Sequence, residues 1–407
     1  MSDLPASPAS PRMPRRRALV TLLGAAGLVV LPACGGGGGG GVGGGTIAGV
    51  DTGGTGSFST GRISGFGSVI VNGVRFEDNA ARIADDDDEA KVLTTQDLKL
   101  GMVVRVQGGA ITAGSGDVLP NTTASSITIE SQIKGPVLSK TAPDTLIVFG
   151  QTVRVTAATV FEGTTFAAIA PADVLEVHGF ADSAGVVTAS RIEREVGVTE
   201  FKVRGFIAGL NTTAKTFQIG AATFNYASAT RLPTTALANG LFVRVRTQTV
   251  ANSSGQWVVN RIDLRQAVED RSEAEVEGIL VQNGTVLSVN GITINTSALP
   301  SGTVMPVGQR VEIEGSLSNG VLVARKIEVE NEAEEAKVDV RGTASLVNKT
   351  AQTFVVRGVS FHYSGSTEQK DGTIAANLVD GANIRVKGTL PSGGTGNVEA
   401  TEIDFKP

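Results

Sequence analysis

The chain has almost none of the side chains from which most active sites are built. Of its 407 residues one is cysteine, two are histidine, one is tryptophan and two are tyrosine. A single cysteine, Cys34, rules out an internal disulfide framework and any multi-cysteine zinc site. His178 and His362 have no cysteine to join them, and a zinc site needs three or four ligands close together, so both histidines are expected to be structural. The sequence has no Gly-x-Ser-x-Gly elbow, no phosphate-binding loop and no zinc-protease helix motif. Gly65-Phe66-Gly67 and the glycine run at 35–45 lack the strand–helix context of a dinucleotide fingerprint. These absences point to a protein that is not an enzyme and takes no cofactor. Charged residues make up only 18%, with a net charge of −5. Without residues 1–33 the balance is 31 basic against 39 acidic residues, a net charge of about −8. An acidic chain is a poor binder of a phosphate backbone, so no nucleic-acid partner is expected. The apolar run at 18–31 falls short of the roughly 20 residues that span a bilayer.

What is present begins with an address. Residues 1–14 are a polar, Pro-rich lead, Arg15, Arg16 and Arg17 form a basic region, and the apolar run follows. This is the layout of an export signal. The Arg-Arg-Ala-Leu-Val order is similar to a twin-arginine signal, and the general export route fits it equally. Leu31-Pro32-Ala33-Cys34 resembles the bacterial lipobox, which implies a lipidated Cys34 as the first mature residue; ordinary cleavage after Ala33 is the alternative. Glycines 35–41 follow immediately, and glycine-rich chain is a flexible coil suited to a tether. The residue after Cys34 is Gly35, not the Asp that resemblance to enterobacterial lipoproteins associates with inner-membrane retention. A lipid-anchored envelope protein is expected, in the outer membrane where the cell has one.

Beyond the tether the chain repeats itself. In Arg310-Val311-Glu312-Ile313-Glu314-Gly315 apolar and charged residues alternate, the period of a half-buried strand. Asn319-Gly320 follows and is a strong hairpin signal, because both residues tolerate positive φ. Related runs end at Gly108, Gly179, Thr247 and Gly388, each followed 13 to 19 residues later by an isoleucine among polar residues, as Gly315 is 12 residues later by Ile327. A second landmark, an apolar residue, any residue and then glycine, opens each copy at Gly65, Gly135, Gly205, Gly278 and Gly342, spaced 64 to 73 residues apart. Glycine at a fixed strand position suggests a bulge or a tight barrel corner. Five copies at one period set the architecture. It reads as a signal segment at 1–34, a tether at 35–59, and units at 60–132, 133–197, 198–271, 272–335 and 336–407. Each unit has a central hairpin, around Asn72-Gly73, Gly150, residues 216–226, Asn290-Gly291 and Arg357-Gly358. The stretches near 298–307 and 375–381 suit a helical turn or a loop, and the acidic joint at 332–337 an exposed linker or a strand. Units this small need their strand edges closed, so small antiparallel barrels with separate cores are expected.

With both landmarks in place, the copies resemble the bacterial domain of unknown function 5666. The fourth fits best, through Gly278, Gly291, Thr296, the run from Val307-Gly308 to Gly315, and Ala324-Arg325-Lys326-Ile327. Copies one and three depart, with a longer last hairpin in the first and Thr247 for the closing glycine in the third. The resemblance implies an all-β chain of five tandem OB-like barrels in an envelope setting, and no activity.

Three further features were weighed. Asp85-Asp86-Asp87-Asp88-Glu89 is the densest charge run, but it lacks the alternating acidic spacing of a calcium loop and reads as a solvated loop. Phe76, Phe149, Phe224 and Phe361 fall in corresponding hairpins and read as core. Trp257 sits near a loop, as packing or as a contact residue. The expected role is a scaffold, spacer or adhesion module anchored to the membrane; the alternative is recognition of a glycan or an envelope protein through barrel loops.

Overall fold

A computed structural model describes residues 56–86, 91–116, 118–265, 268–331, 336–391 and 396–406. Cys34, the signal segment and most of the tether lie outside the described residues. Among the described residues strand accounts for 58% and helix for 1%.

The strands fall into five modules. Module 1 holds β1 (Ser57–Phe66), β2 (Val69–Val71), β3 (Val74–Glu77), β4 (Arg82–Asp85), β5 (Val103–Gly108) and β6 (Asn121–Ile129). Module 2 holds β7 (Ile133–Thr141), β8 (Thr145–Val148), β9 (Gln151–Glu162), β10 (Val174–Ala181) and β11 (Val187–Glu195). Module 3 holds β12 (Phe201–Phe206), β13 (Ala208–Asn211), β14 (Thr216–Ile219), β15 (Ala222–Asn225), β16 (Phe242–Ala251) and β17 (Trp257–Leu264). Module 4 holds β18 (Arg271–Asn283), β19 (Val286–Val289), β20 (Ile292–Asn295), β21 (Arg310–Ser318) and β22 (Val321–Val329). Module 5 holds β23 (Lys337–Asn348), β24 (Thr353–Val356), β25 (Val359–His362), β26 (Glu368–Lys370), α1 (Ile374–Asn377), β27 (Asn383–Thr389) and β28 (Val398–Asp404).

In module 5, β23 pairs antiparallel with β24 and β24 with β25; β25 runs parallel to β28, β28 antiparallel to β27, and β27 returns to β23. The circuit closes a five-strand barrel, leaving no free edge within it. The same order of pairings links β1-β2-β3-β6-β5, β7-β8-β9-β11-β10 and β18-β19-β20-β22-β21. In module 3 the bent first strand is divided, so that β12 pairs with β16 and β13 with β14.

Both glycine landmarks have a steric cause. A Cβ on Gly135 would lie 2.7 Å from Phe149 Cβ, one on Gly205 2.3 Å from Ile219 Cγ2, and one on Gly278 2.6 Å from Val289 Cγ1. The opening glycine is therefore where the central hairpin crosses the first strand. The closing landmark is a β-bulge: the register shifts at Gln107/Gly108, His178/Gly179, Arg246/Thr247, Glu314/Gly315 and Lys387/Gly388. A Cβ on Gly315 would meet Val323 O at 2.1 Å. Thr247 takes the bulge without glycine, fully buried, its hydroxyl donating to Gln248 O at 2.8 Å. Asn72-Gly73, Phe149-Gly150, Asn290-Gly291, Asn319-Gly320 and Arg357-Gly358 all have two consecutive positive φ values, as type I′ hairpin turns require.

The cores are not separate. One buried apolar cluster runs through modules 1 and 5, from Phe66 and Phe76 to Phe354 and Phe361; a second runs through modules 2 and 3. Module 4 packs its own around Val276 and Ile313 and includes Phe58 of module 1.

Module 1 lies at the centre. Its β1 runs parallel to β18 over Ser57–Thr60 and to β23 at Gly65 and Phe66, so a single strand joins two other barrels. Module 2 meets it where His178 Nδ1 accepts the Val103 N–H at 3.2 Å and Ser190 donates to Gly101 O at 2.7 Å. Module 3 meets it around Asp86.

Candidate functional site

The junctions around module 1 concentrate buried charge, and strand alternation explains how it arrives there. In β16, Val243 and Val245 point into the barrel and are fully buried, which sends Arg244 and Arg246 outward; in β5, Val104 and Val106 do the same for Arg105. On an isolated barrel these arginines would face water. Here the outer faces of modules 1 and 3 meet, and the guanidinium groups are enclosed between them.

They surround a cavity of about 320 Å³ lined by Arg82, Arg105, Arg204, Arg244 and Arg265, by Asp85, Asp86 and Glu130, and on one side by Phe242 and Leu264. Asp86 is the central acceptor. Arg204 pairs closely with its carboxylate, Arg244 Nη1 lies 2.8 Å from Oδ2, and Lys202 Nζ lies 3.8 Å from Oδ1. Arg244 Nη2 also reaches Asp263 Oδ2 at 3.1 Å. On the other wall Arg105 Nε lies 3.6 Å from Glu130, and Arg265 donates from Nη1 to Asn290 O at 2.8 Å. Burial, then the neighbouring Arg244, Arg265 and Arg246, hold the Arg204 pKa well below its usual value; burial lowers that of Arg265 in the same sense.

A second cavity, of about 590 Å³, lies between modules 1, 4 and 5, lined among others by Glu277, Glu312, Glu330, Lys337 and Lys387. Here the outward row of module 4 is acidic: Glu277 stands opposite Glu312, and Glu312 opposite Glu328. Buried Glu277 accepts from Arg310 and, at 2.8 Å, from the Arg62 backbone N–H. Burial first, then neighbouring glutamates, push Glu312 up to about 7 and Glu275 up to about 8.

The structure redistributes the sequence candidates. The acidic run is not simply a solvated loop, since the Asp86 side chain is buried among arginines; Asp87, Asp88 and Glu89 lie outside the described residues. His178 is fully buried at the junction of modules 1 and 2, and burial lowers its pKa. His362 is half-exposed, its Nδ1 2.9 Å from Glu399. Trp257 packs at 4.8 Å and 5.6 Å between ring centroids on Phe149 and Phe201. Phe76, Phe149, Phe224 and Phe361 are all fully buried. Neither Cys34 nor its lipidation is addressed by the described residues. Sequence reasoning missed the junction arginines and Glu277, although they recur at fixed outward positions of the repeat.

No curated protein matches the chain. Residues 134–193, 275–328 and 341–404 match the family model of the Domain of unknown function DUF5666, and they are parts of modules 2, 4 and 5, which keep both glycines and a short last hairpin. Three segments of the chain are therefore similar to the DUF5666 family.

Proposed function

We propose that this is a non-enzymatic, lipid-anchored protein of the cell envelope in which five OB-like barrels in tandem form a rigid scaffold. The diacylglyceryl-modified Cys34 holds it to the membrane, the outer one where the cell has two, and the glycine-rich stretch that follows it lets the body stand away from the lipid surface; the last three residues of the expected tether, 57–59, belong instead to β1. The observation that carries the scaffold role is the use of β1 by two other modules at once. A spacer gains reach from barrels strung end to end, whereas barrels gathered on one hub give a stiff platform. Mass spectrometry of the mature N-terminal peptide tests the anchor: the reading requires a diacyl or triacyl mass on Cys34, and an unmodified cysteine or cleavage at another site removes it. In-cell crosslinking tests the platform, with envelope proteins as the expected partners.

A second reading, recognition of a glycan or envelope protein through barrel loops, has its own support. Leu138, Val286 and Leu346 stand exposed near the first hairpins of modules 2, 4 and 5. Replacing all three with serine lowers partner recovery if these loops make the contact, and leaves it unchanged if the scaffold acts through other surfaces.

A further inference from the structure

We propose that the cavity between modules 1 and 3 binds a small dianionic oxyanion, phosphate or sulfate, free or as a monoester. Three independent features of the cavity converge on that chemistry.

The first is charge. Five guanidinium groups and three carboxylates line the cavity, an excess of two positive charges, with Arg82 at the exposed rim and the rest largely buried. Arginine stays protonated when buried, so the excess is not relieved by proton loss at ordinary pH. A doubly charged anion neutralises it.

The second is unused hydrogen-bonding capacity. Nε and Nη2 of Arg265 and Nε of Arg244 are buried with no hydrogen-bond partner among the described residues. A buried donor left empty is destabilising, because it has given up water without gaining a partner. Glu130 is 3.9 Å from Arg265 Nη2, beyond hydrogen-bond length. Planar guanidinium forks match the paired oxygens of phosphate and sulfate, and such bonds are the strong, charge-assisted kind.

The third is size and surface. About 320 Å³ is at the small end of ligand sites and holds more than one tetrahedral anion needs. Phe242 and Leu264 provide an apolar wall on one side. An oxyanion carrying a small organic group fills both parts of the space.

The site is separate from the loops invoked above and from the acidic cavity at module 4, which has the opposite charge and no reason to hold an anion. It belongs to the junction itself, so an occupant would also tie module 3 to module 1.

The test uses the full mature chain. Thermal melts and isothermal titration are run with sodium phosphate, sodium sulfate and methyl phosphate, against sodium chloride at matched ionic strength. The expected result is a saturable rise in Tm with the dianions and none with chloride. Tighter binding of methyl phosphate assigns the site to an ester; equal binding assigns it to the free anion. Arg265→Gln is expected to weaken binding by about tenfold to a hundredfold, as loss of a charge-assisted hydrogen bond implies. Arg82→Gln, on an exposed residue at the rim whose loss leaves the fold intact, is expected to weaken it several-fold. Lys326→Gln, at the surface of module 4, leaves it unchanged. The proposal is overturned if the parent chain shows no saturable response beyond chloride, or if Arg265→Gln and Arg82→Gln both respond like the parent. Binding that appears only after Asp87, Asp88 and Glu89 are neutralised also overturns it, because the chain's own carboxylates would then be the occupants.

Discussion

Gly65→Ala is the substitution that probes the hub most sharply. Gly65 sits opposite Asp339 in the parallel pairing of β1 with β23, which has only two rungs, the other joining Phe66 to Val340. A Cβ at Gly65 would lie 2.1 Å from the Asp339 carbonyl oxygen and 2.9 Å from Ile70 Cδ1. Ordinary C···O contact begins near about 3.3 Å, so the two backbones must part by roughly 1 Å. The Asp339 oxygen is backbone in a paired strand, so no rotamer change relieves that overlap. Without the clash, Gly→Ala would add about 0.4–1 kcal/mol through the unfolded chain. With it, the cost sits at the upper end of the about 1–3 kcal/mol typical of overpacking. The apolar cluster shared by modules 1 and 5 opens with the pairing. Gly342→Ala is the matched control, at the equivalent position in module 5. There the nearest atom is Arg357 Cγ at 2.9 Å, on a partly exposed side chain that can swing away. Urea unfolding should show a loss of about 2–3 kcal/mol for Gly65→Ala and less than about 1 kcal/mol for Gly342→Ala. Hydrogen exchange should show faster amides in β23 in the first variant only. Equal losses in the two variants, with unchanged protection of β23, would refute the docking of module 5 on β1.

The acidic row of module 4 makes stability depend on pH in a definite direction. Glu312 and Glu275 have folded pKa values of about 7 and about 8, above the ordinary 4.5, so their contribution is present below about 4.5 and is lost as pH rises through those values. Glu312→Gln should match the parent near pH 4.5 and exceed it by about 1–2 kcal/mol at pH 8, read from urea melts across that range. His178 works the other way: its lowered pKa gives a contribution present above about 6.5 and lost as pH falls. His178→Gln should flatten that acid limb, and a limb of unchanged slope would remove His178 as its source. Glu277→Ala removes a buried carboxylate that Arg62 and Arg310 both face and should cost about 3–5 kcal/mol by chemical denaturation.

The local structure was legible because its causes are local. Asn-Gly and its relatives accept the two successive positive φ values of these hairpin turns, and four of the five such turns were visible as residue pairs; the fifth, Phe149-Gly150, was visible only through Gly150. The opening glycine was legible as a tight corner, since only a missing side chain lets the hairpin cross. Alternation in Val311-Glu312-Ile313-Glu314 separated inside from outside correctly. It could not say whether the outside faces water or another module, and that is where the reading of separate cores, and of Asp86 as part of a solvated loop, went astray. The missed signal lies in the outward positions of the repeat. Three residues before the closing landmark stand Arg105, Glu176, Arg244, Glu312 and Arg385, and before the opening glycine stand Lys134, Arg204, Glu277 and Arg341. The register sets Arg204 beside Arg244 and Glu277 beside Glu312. Like charges directly opposite on one sheet face are destabilising unless something of opposite charge covers them. Such a row on a strand is grounds to look for a partner surface in the same chain. Cys34 shows the opposite limit: the lipobox resemblance is a statement about processing, and no packing around residues 56–406 bears on it.

Small-angle scattering on a soluble form beginning at residue 56 tests the gathering of the modules on β1 most directly. A compact body of this length has a radius of gyration of about 20 Å. Five barrels of 64 to 73 residues strung end to end would give about 40 Å. The account requires the smaller value, and the larger one contradicts it.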